Sequence, residues 1–261
     1  MLLLTHTVGL RGFNEEYRMD NNGIKRRKIL LDALALGVFS GINAAGLVRP
    51  SYALSSLPER LPQGRSIYKL SGNVMINGIP ADINTQITAD SIVQTSENSE
   101  IIFVVGSDAF ILRSNSELEF SASGILIKSM RMISGALLGV FGKRETASQL
   151  VTSTATIGIR GTGIYAESNP DKSYLCTCYG HTRISARADP NVVTDIVTKY
   201  HDRPVFILSS AAKQKLIVPA PVFDHTDQEL ALIEALVGRK TPFNPAGYDF
   251  NSHRVGGGGN Y

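Results

Sequence analysis

From Ser66 onward the sequence consists of short apolar runs, rich in β-branched residues, that are separated by turn signals. Asn77-Gly78, followed by Pro80, is typical of a tight hairpin. Leu118-Glu119-Phe120 alternates with the period of two that one half-buried strand face requires. The apolar stretch Met132–Phe141 holds two glycines, which favours strand over helix. The pattern predicts an all-β body of many short strands, either solenoid-like or a sandwich.

Charge is concentrated in the N-terminal segment. Of the 26 Lys and Arg and the 23 Asp and Glu, residues 1–53 hold seven and four, so the remainder carries nineteen of each. A nucleic-acid-binding face would require a clustered positive excess, and the balance in the body argues against one. The 43% apolar and 19% charged residues are typical of a globular chain with a true core.

The N-terminal segment has the pattern of an export signal. The basic cluster Lys25–Lys28 precedes a modestly apolar stretch, Ile29–Val48, and Ser51-Tyr52-Ala53 supplies small residues at the cleavage positions. The paired Arg26 and Arg27 resemble a twin-arginine signal. We expect cleavage after Ala53, a periplasmic mature chain, and no stable membrane span once it is processed.

The N-terminal segment allows two alternatives to a cleaved signal that begins at Met1. Met19 would serve as a start codon that gives a compact basic region. The apolar stretch would also serve as an uncleaved anchor, although Asp32 and several glycines weaken it as a membrane span.

One helix is predicted near the C-terminus, at about residues 227–237. Thr226 is a good N-cap, and Glu229 three residues later completes a capping box. Leu230, Ile233 and Val237 share one face, and Gly238 stands where a C-terminal cap is expected. Residues 244–261, which include Gly256–Gly259, have the composition of a flexible tail.

Four segments resemble the FecR-domain family. Gly72–Ala81 resembles the family's opening strands, and Asp90–Thr95 with the following Asn98-Ser99 resembles its next conserved stretch, although Ala89 and Ser96 replace the usual glycines. Ser134–Leu137 is similar to a later strand, and Thr154–Tyr165 gives the strongest match. Together these segments cover about residues 66–187.

The resemblance implies an extracytoplasmic all-β domain without catalytic residues. Regulator members of the family join this domain across one membrane span to a cytoplasmic anti-sigma segment. At most 28 residues precede the apolar stretch here, so we expect a free-standing exported version. We divide the chain into a signal segment (1–53), a FecR-like domain (54–187), a C-terminal extension (188–243) and the tail (244–261).

The strongest matching segment is centred on a glycine-rich turn with two interpretations. Backbone N–H groups and one guanidinium would form an anion-binding nest. Alternatively, the glycines supply left-handed backbone in a tight strand–turn–strand unit. The spacing is not that of a dinucleotide-binding loop, and we favour the structural interpretation. The residues concerned are Gly158, Arg160, Gly161, Thr162 and Gly163.

Cys176 and Cys178 form a C-x-C pair. On a strand both side chains point to the same face, with Cα atoms about 6.5–7 Å apart, which strains a direct disulfide. Three outcomes stay open, namely buried thiols, a redox-labile disulfide and a metal site. For a metal, His201 and His225 would complete a Cys₂His₂ set suited to zinc, and His181 is a substitute ligand.

No catalytic motif supports an enzyme, and a hydrolase has no characteristic residues here. The sequence therefore predicts a non-enzymatic interaction module whose partner is a protein or a cell-envelope glycan. The alternative, from another class, is a metal-binding or thiol-redox protein that uses Cys176 and Cys178.

Overall fold

The computed structural model describes residues 57–123, 126–210 and 215–243. The export-signal residues Arg26, Arg27 and Ala53 lie outside these ranges, as does the tail at 244–261. Within the described ranges the chain is almost entirely β, with one helix near the C-terminus, as the sequence predicts.

The first half of the body consists of short strands that pair in antiparallel fashion. Asn77 and Gly78 both have left-handed backbone, with φ of 53° and 76°, so the predicted hairpin turn is confirmed. The apolar run Ile67–Ile76 is divided by a turn at Gly72 and forms two strands. The bounds are β1 (Ile67–Ser71), β2 (Val74–Ile76), β3 (Ile79–Pro80), β4 (Ile92–Thr95), β5 (Glu100–Val105), β6 (Asp108–Leu112) and β7 (Ser116–Ser123).

The second half is built on three strands of fifteen residues each. The strand predicted at Met132–Phe141 is confirmed as part of the first of them. All pairs among the described strands are antiparallel except β8 with β9. The bounds are β8 (Leu126–Val140), β9 (Ser148–Val151), β10 (Ala155–Asn169), β11 (Lys172–Ala186), β12 (Val193–Thr198), β13 (Val205–Leu208) and β14 (Ile217–Pro219).

The long strands change neighbours where a glycine has left-handed backbone. β8 pairs with β7 up to Ser134 and with β6 from Leu137, and Gly135 between them has φ of 89°. β10 passes from β9 to β8 at Gly161, and β11 passes from β13 to β12 at Gly180. Because only glycine adopts this backbone without strain, each long strand can pair with two sets of neighbours in a single branched sheet. One branch contains β2, β3, β4, β7, β9 and β12, and the other contains β1, β5, β6, β13 and β14.

The sheet buries apolar side chains on both faces. The larger cluster takes residues from both branches and includes Phe103, Phe110 and Leu118. The smaller cluster lies between the other face and the helix α1 (Asp227–Leu236), and it includes Ile111, Leu138 and both cysteines. Burial of this second face explains why β11 is buried on both sides over Ser173–Tyr179.

Helix α1 has the predicted caps. The Thr226 hydroxyl accepts from the Glu229 backbone, and the Glu229 carboxylate accepts from the Thr226 backbone, which completes the capping box. Gly238 has φ of 74° and donates to the carbonyl of Ala235, while Arg239 donates to that of Glu234. These two bonds form a Schellman motif, so the predicted helix end is confirmed.

Candidate functional site

Cys176 and Cys178 lie on β11 with their side chains on the face that α1 covers. Both thiols are free and fully buried. The residue between them, Thr177, points to the opposite face, where its hydroxyl bonds to that of Thr182. The period of two thus sets both sulfurs side by side beneath the C-terminal segment.

His201 reaches the cysteines through the connection that follows β12. Its backbone N–H donates to the carbonyl of Cys178 at 3.0 Å, and its Nδ1 lies 3.3 Å from the Cys176 sulfur. Its φ is 43°, in the left-handed region, which is uncommon for residues other than glycine but which histidine enters more often than most.

His225 reaches the same point from the segment immediately before α1. Its ring stacks on that of Tyr165, with 4.7 Å between centroids. Its Nδ1 lies 2.7 Å from the carbonyl of Phe223, which can only accept, so Nδ1 carries the proton. The unprotonated Nε2 then faces His201 Nδ1 at 3.1 Å.

Asp227, the first residue of α1, orients His201. Its Oδ1 lies 3.1 Å from His201 Nε2, and its Oδ2 accepts from the Tyr200 hydroxyl at 2.8 Å. A carboxylate in this position holds the proton on Nε2 and leaves Nδ1 as the ring nitrogen that offers a lone pair. Asp227 was not among the site residues that the sequence predicted. The signal that could have indicated it is its place two residues after His225.

The electrostatics of the two thiols differ. A hydrogen bond from Cys178 is the largest influence on Cys176, and with contributions from His201 and His225 it lowers the pKa of Cys176 to about 4, against burial. Burial raises the pKa of Cys178. Burial also acts to lower the pKa of His201, but the Cys176 sulfur and Asp227 outweigh it, and the pKa is raised. The pocket therefore favours the thiolate form of Cys176.

The structure thus brings together the four residues that the sequence analysis selected for a metal. One donor atom from each of Cys176, Cys178, His201 and His225 lies within 4.8 Å of every other. His181 lies elsewhere, because it follows the bend in β11 at Gly180 and its Nε2 is 3.1 Å from Asp195 Oδ1. His181 is not a substitute ligand in this arrangement.

The glycine-rich segment lies inside the sheet, on β10. The ring of Tyr179 crosses Gly163, where an added Cβ would lie 2.4 Å from a ring carbon. The Thr162 hydroxyl is buried and lies 2.8 Å from the carbonyl of Arg160. Gly161 supplies the left-handed bend. These contacts give Gly161, Thr162 and Gly163 packing roles, and only Arg160 projects an exposed side chain from this motif.

Arg160 borders a shallow groove of about 400 Å³ on the face opposite the larger core cluster. Gly158 forms part of its floor, and His181, Arg183 and Asp195 form its far side. Asp195 pairs with Arg183 at 2.7 Å and with His181 at 3.1 Å. Among the described residues no carboxylate pairs with Arg160, so the groove has one uncompensated positive charge.

Within residues 57–123, 126–210 and 215–243, no helix has the length and apolar character that crossing a bilayer requires. No protein-family model and no curated protein matches the sequence.

Solved structures that are similar to the chain include two of one protein. Both are crystal structures of a "putative anti-sigma factor" from Parabacteroides distasonis ATCC 8503, with TM-scores of 0.42 and 0.41 and sequence identities of 8% and 7%. Each alignment covers 49% of this chain and 58% of the other. The chain therefore spans little more than half the length of the structures it matches.

Proposed function

We propose that the chain is an exported, non-enzymatic FecR-like interaction module of the bacterial envelope. The residues that resemble the FecR domain and the basic, apolar and small pattern of residues 25–53 support this proposal. The all-β body agrees with it. In this proposal the mature chain starts after Ala53 and acts outside the cytoplasm.

The groove at Arg160 is the proposed binding face. Most of its lining side chains carry polar groups, among them the Thr156 hydroxyl and the Gln149 amide beside the guanidinium of Arg160. A protein interface of high affinity is centred on large apolar side chains, and no apolar side chain larger than that of Ala147 lines this groove. Hydroxyl and amide groups with one unpaired guanidinium suit a carboxylate-bearing sugar, and we infer an acidic envelope glycan as the ligand.

The test is cosedimentation of the purified full chain with peptidoglycan sacculi, whose glycan and peptide parts carry carboxylates. We expect Arg160→Ala to weaken binding about tenfold, because a charge-assisted hydrogen bond contributes about 1.5–3 kcal/mol. Arg131→Ala is the matched control, since Arg131 is an exposed arginine on β8 that is ion-paired with Glu119. Equal sedimentation of the Arg160 variant and the unaltered chain, or none by either, would overturn the glycan proposal.

A further inference from the structure

We propose that Cys176, Cys178, His201 and His225 bind one zinc ion, which fastens helix α1 to the sheet. This inference is independent of the proposed glycan-binding face, because the cluster lies beneath α1 and the groove does not include it.

The orientation of the two imidazole rings favours a bound metal ion. His225 Nδ1 donates to the Phe223 carbonyl, and His201 Nε2 donates to Asp227. In the neutral rings the other nitrogen of each carries a lone pair, and these two atoms face each other at 3.1 Å. Two acceptors at that distance repel each other unless a positive centre lies between them.

A metal ion satisfies more of the cluster than a proton would. A proton shared by the two nitrogens would join only the two histidines, whereas a metal ion would also bond to the Cys176 sulfur, which lies 3.3 Å from the same His201 nitrogen. The donor atoms of a tetrahedral zinc site lie about 3.3 Å apart for two nitrogens and about 3.5–3.8 Å apart where sulfur is involved. The separations of 3.1 and 3.3 Å are close to these values.

The charges also balance. With zinc bound, both cysteines are thiolates and both imidazoles are neutral, and the protons that these groups held are released, so that Zn²⁺ and its four ligands have no net charge. A neutral centre is what a nearly dry location requires, because both cysteines are fully buried and the His201 side chain is 9% exposed. Asp227 and the Phe223 carbonyl supply the outer hydrogen bonds that orient ligand histidines.

Four protein ligands close the coordination sphere, which is the arrangement of a structural site rather than a catalytic one. Two ligands come from β11, the third from the connection after β12, and the fourth immediately precedes α1. The ion would therefore connect the sheet to the start of the helix.

The experiment measures metal content in the full chain purified through a tag without histidine, in buffers without chelator. Elemental analysis is run beside intact mass after thiol alkylation. We expect about one zinc per chain and thiols protected from alkylation until the metal is removed. Cobalt(II) substituted into the metal-free protein should then give the visible absorption of a tetrahedral thiolate site.

Cys176→Ser and His225→Gln should each lose most of the zinc. His225 is only partly buried, so its variant tests the site even if the cysteine variant does not fold. His181→Gln is the matched control and should keep the zinc, because His181 pairs with Asp195 outside the cluster. Metal-free protein with two alkylatable thiols that takes up no cobalt would overturn the proposal. So would a disulfide, a stoichiometric metal other than zinc, or a full zinc content in His225→Gln.

Discussion

Gly158 and Gly163 lie five residues apart on β10 and differ in the space around them. A Cβ at Gly163 would overlap the ring of Tyr179, whose hydroxyl is held by the carboxylate of Glu234. At Gly158 the nearest atom would be the Arg183 carbonyl at 3.8 Å, an ordinary contact. The same methyl group therefore has a different cost at each position.

We expect Gly163→Ala to lower the free energy of unfolding by about 1–3 kcal/mol, because the tethered ring cannot move away. Gly158→Ala should change it by less than about 0.5 kcal/mol. Urea denaturation of the two variants beside the unaltered chain measures both values. Equal stability of the two alanine variants would show that the Tyr179 ring does not fix Gly163.

The composition of the cysteine–histidine cluster could be predicted from the sequence, but its assembly could not. Strand periodicity is enough to place Cys176 and Cys178 on one face. The position of His201 depends on the turn after β12, and that of His225 depends on where α1 packs on the sheet. Both are features of the tertiary structure, which periodicity does not determine. Asp227 was missed because an acidic residue in a first helical turn already has a local explanation.

At the scale of elements, α1 contacts the sheet through charged and polar groups as well as apolar ones. Glu234 accepts from the Tyr179 hydroxyl and pairs with Arg239 at 2.6 Å, and its side chain is 4% exposed. Burial, the largest influence, raises the pKa of Glu234 despite both partners. The folded state therefore holds this proton at pH values where the unfolded chain has already released it.

The sign of the pH dependence follows from that difference. This contribution to stability is complete below the ordinary glutamate pKa of about 4.3 and is lost as the pH rises through the higher folded-state value. We expect Glu234→Gln, which keeps a polar partner for Tyr179, to flatten the fall in unfolding free energy over this range. Denaturant titrations at a series of pH values measure it. Glu97→Gln changes the same atoms at an exposed turn, and an equal flattening there would contradict the assignment to Glu234.

Element boundaries were predicted well where the signal is local. The Asn77-Gly78 hairpin and both ends of α1 depend on residues that determine their own backbone, so composition and spacing suffice. The partner changes at Gly135, Gly161 and Gly180 were not predicted, because a glycine in a strand indicates a bulge without saying which neighbours meet there. Likewise, Arg160 lies opposite His181 across the two strands because of the register of the β10–β11 hairpin, which was not predicted.

At the scale of the whole molecule, the proposal of export has its own test. We expect the conservative double change Arg26→Lys with Arg27→Lys to retain a longer precursor in the cytoplasm, because a twin-arginine signal requires the pair itself. The unaltered chain should be found in the periplasm with Leu54 at its N-terminus. Cell fractionation with N-terminal sequencing measures both. Normal export of the double variant would contradict the twin-arginine route, and an unprocessed chain would contradict cleavage after Ala53.

Because β8, β10 and β11 each pair with two sets of neighbours, we expect a particular mode of unfolding for the body. In a fold made of separate sheets, one layer can open while the other persists. Here each long strand is hydrogen-bonded into both branches, so opening either branch removes pairing from a strand that the other requires. We therefore expect local opening at β1, β3, β12 and β14, each of which pairs with a single strand, and cooperative loss of order beyond them. Stability is a property of the whole sheet rather than of either branch.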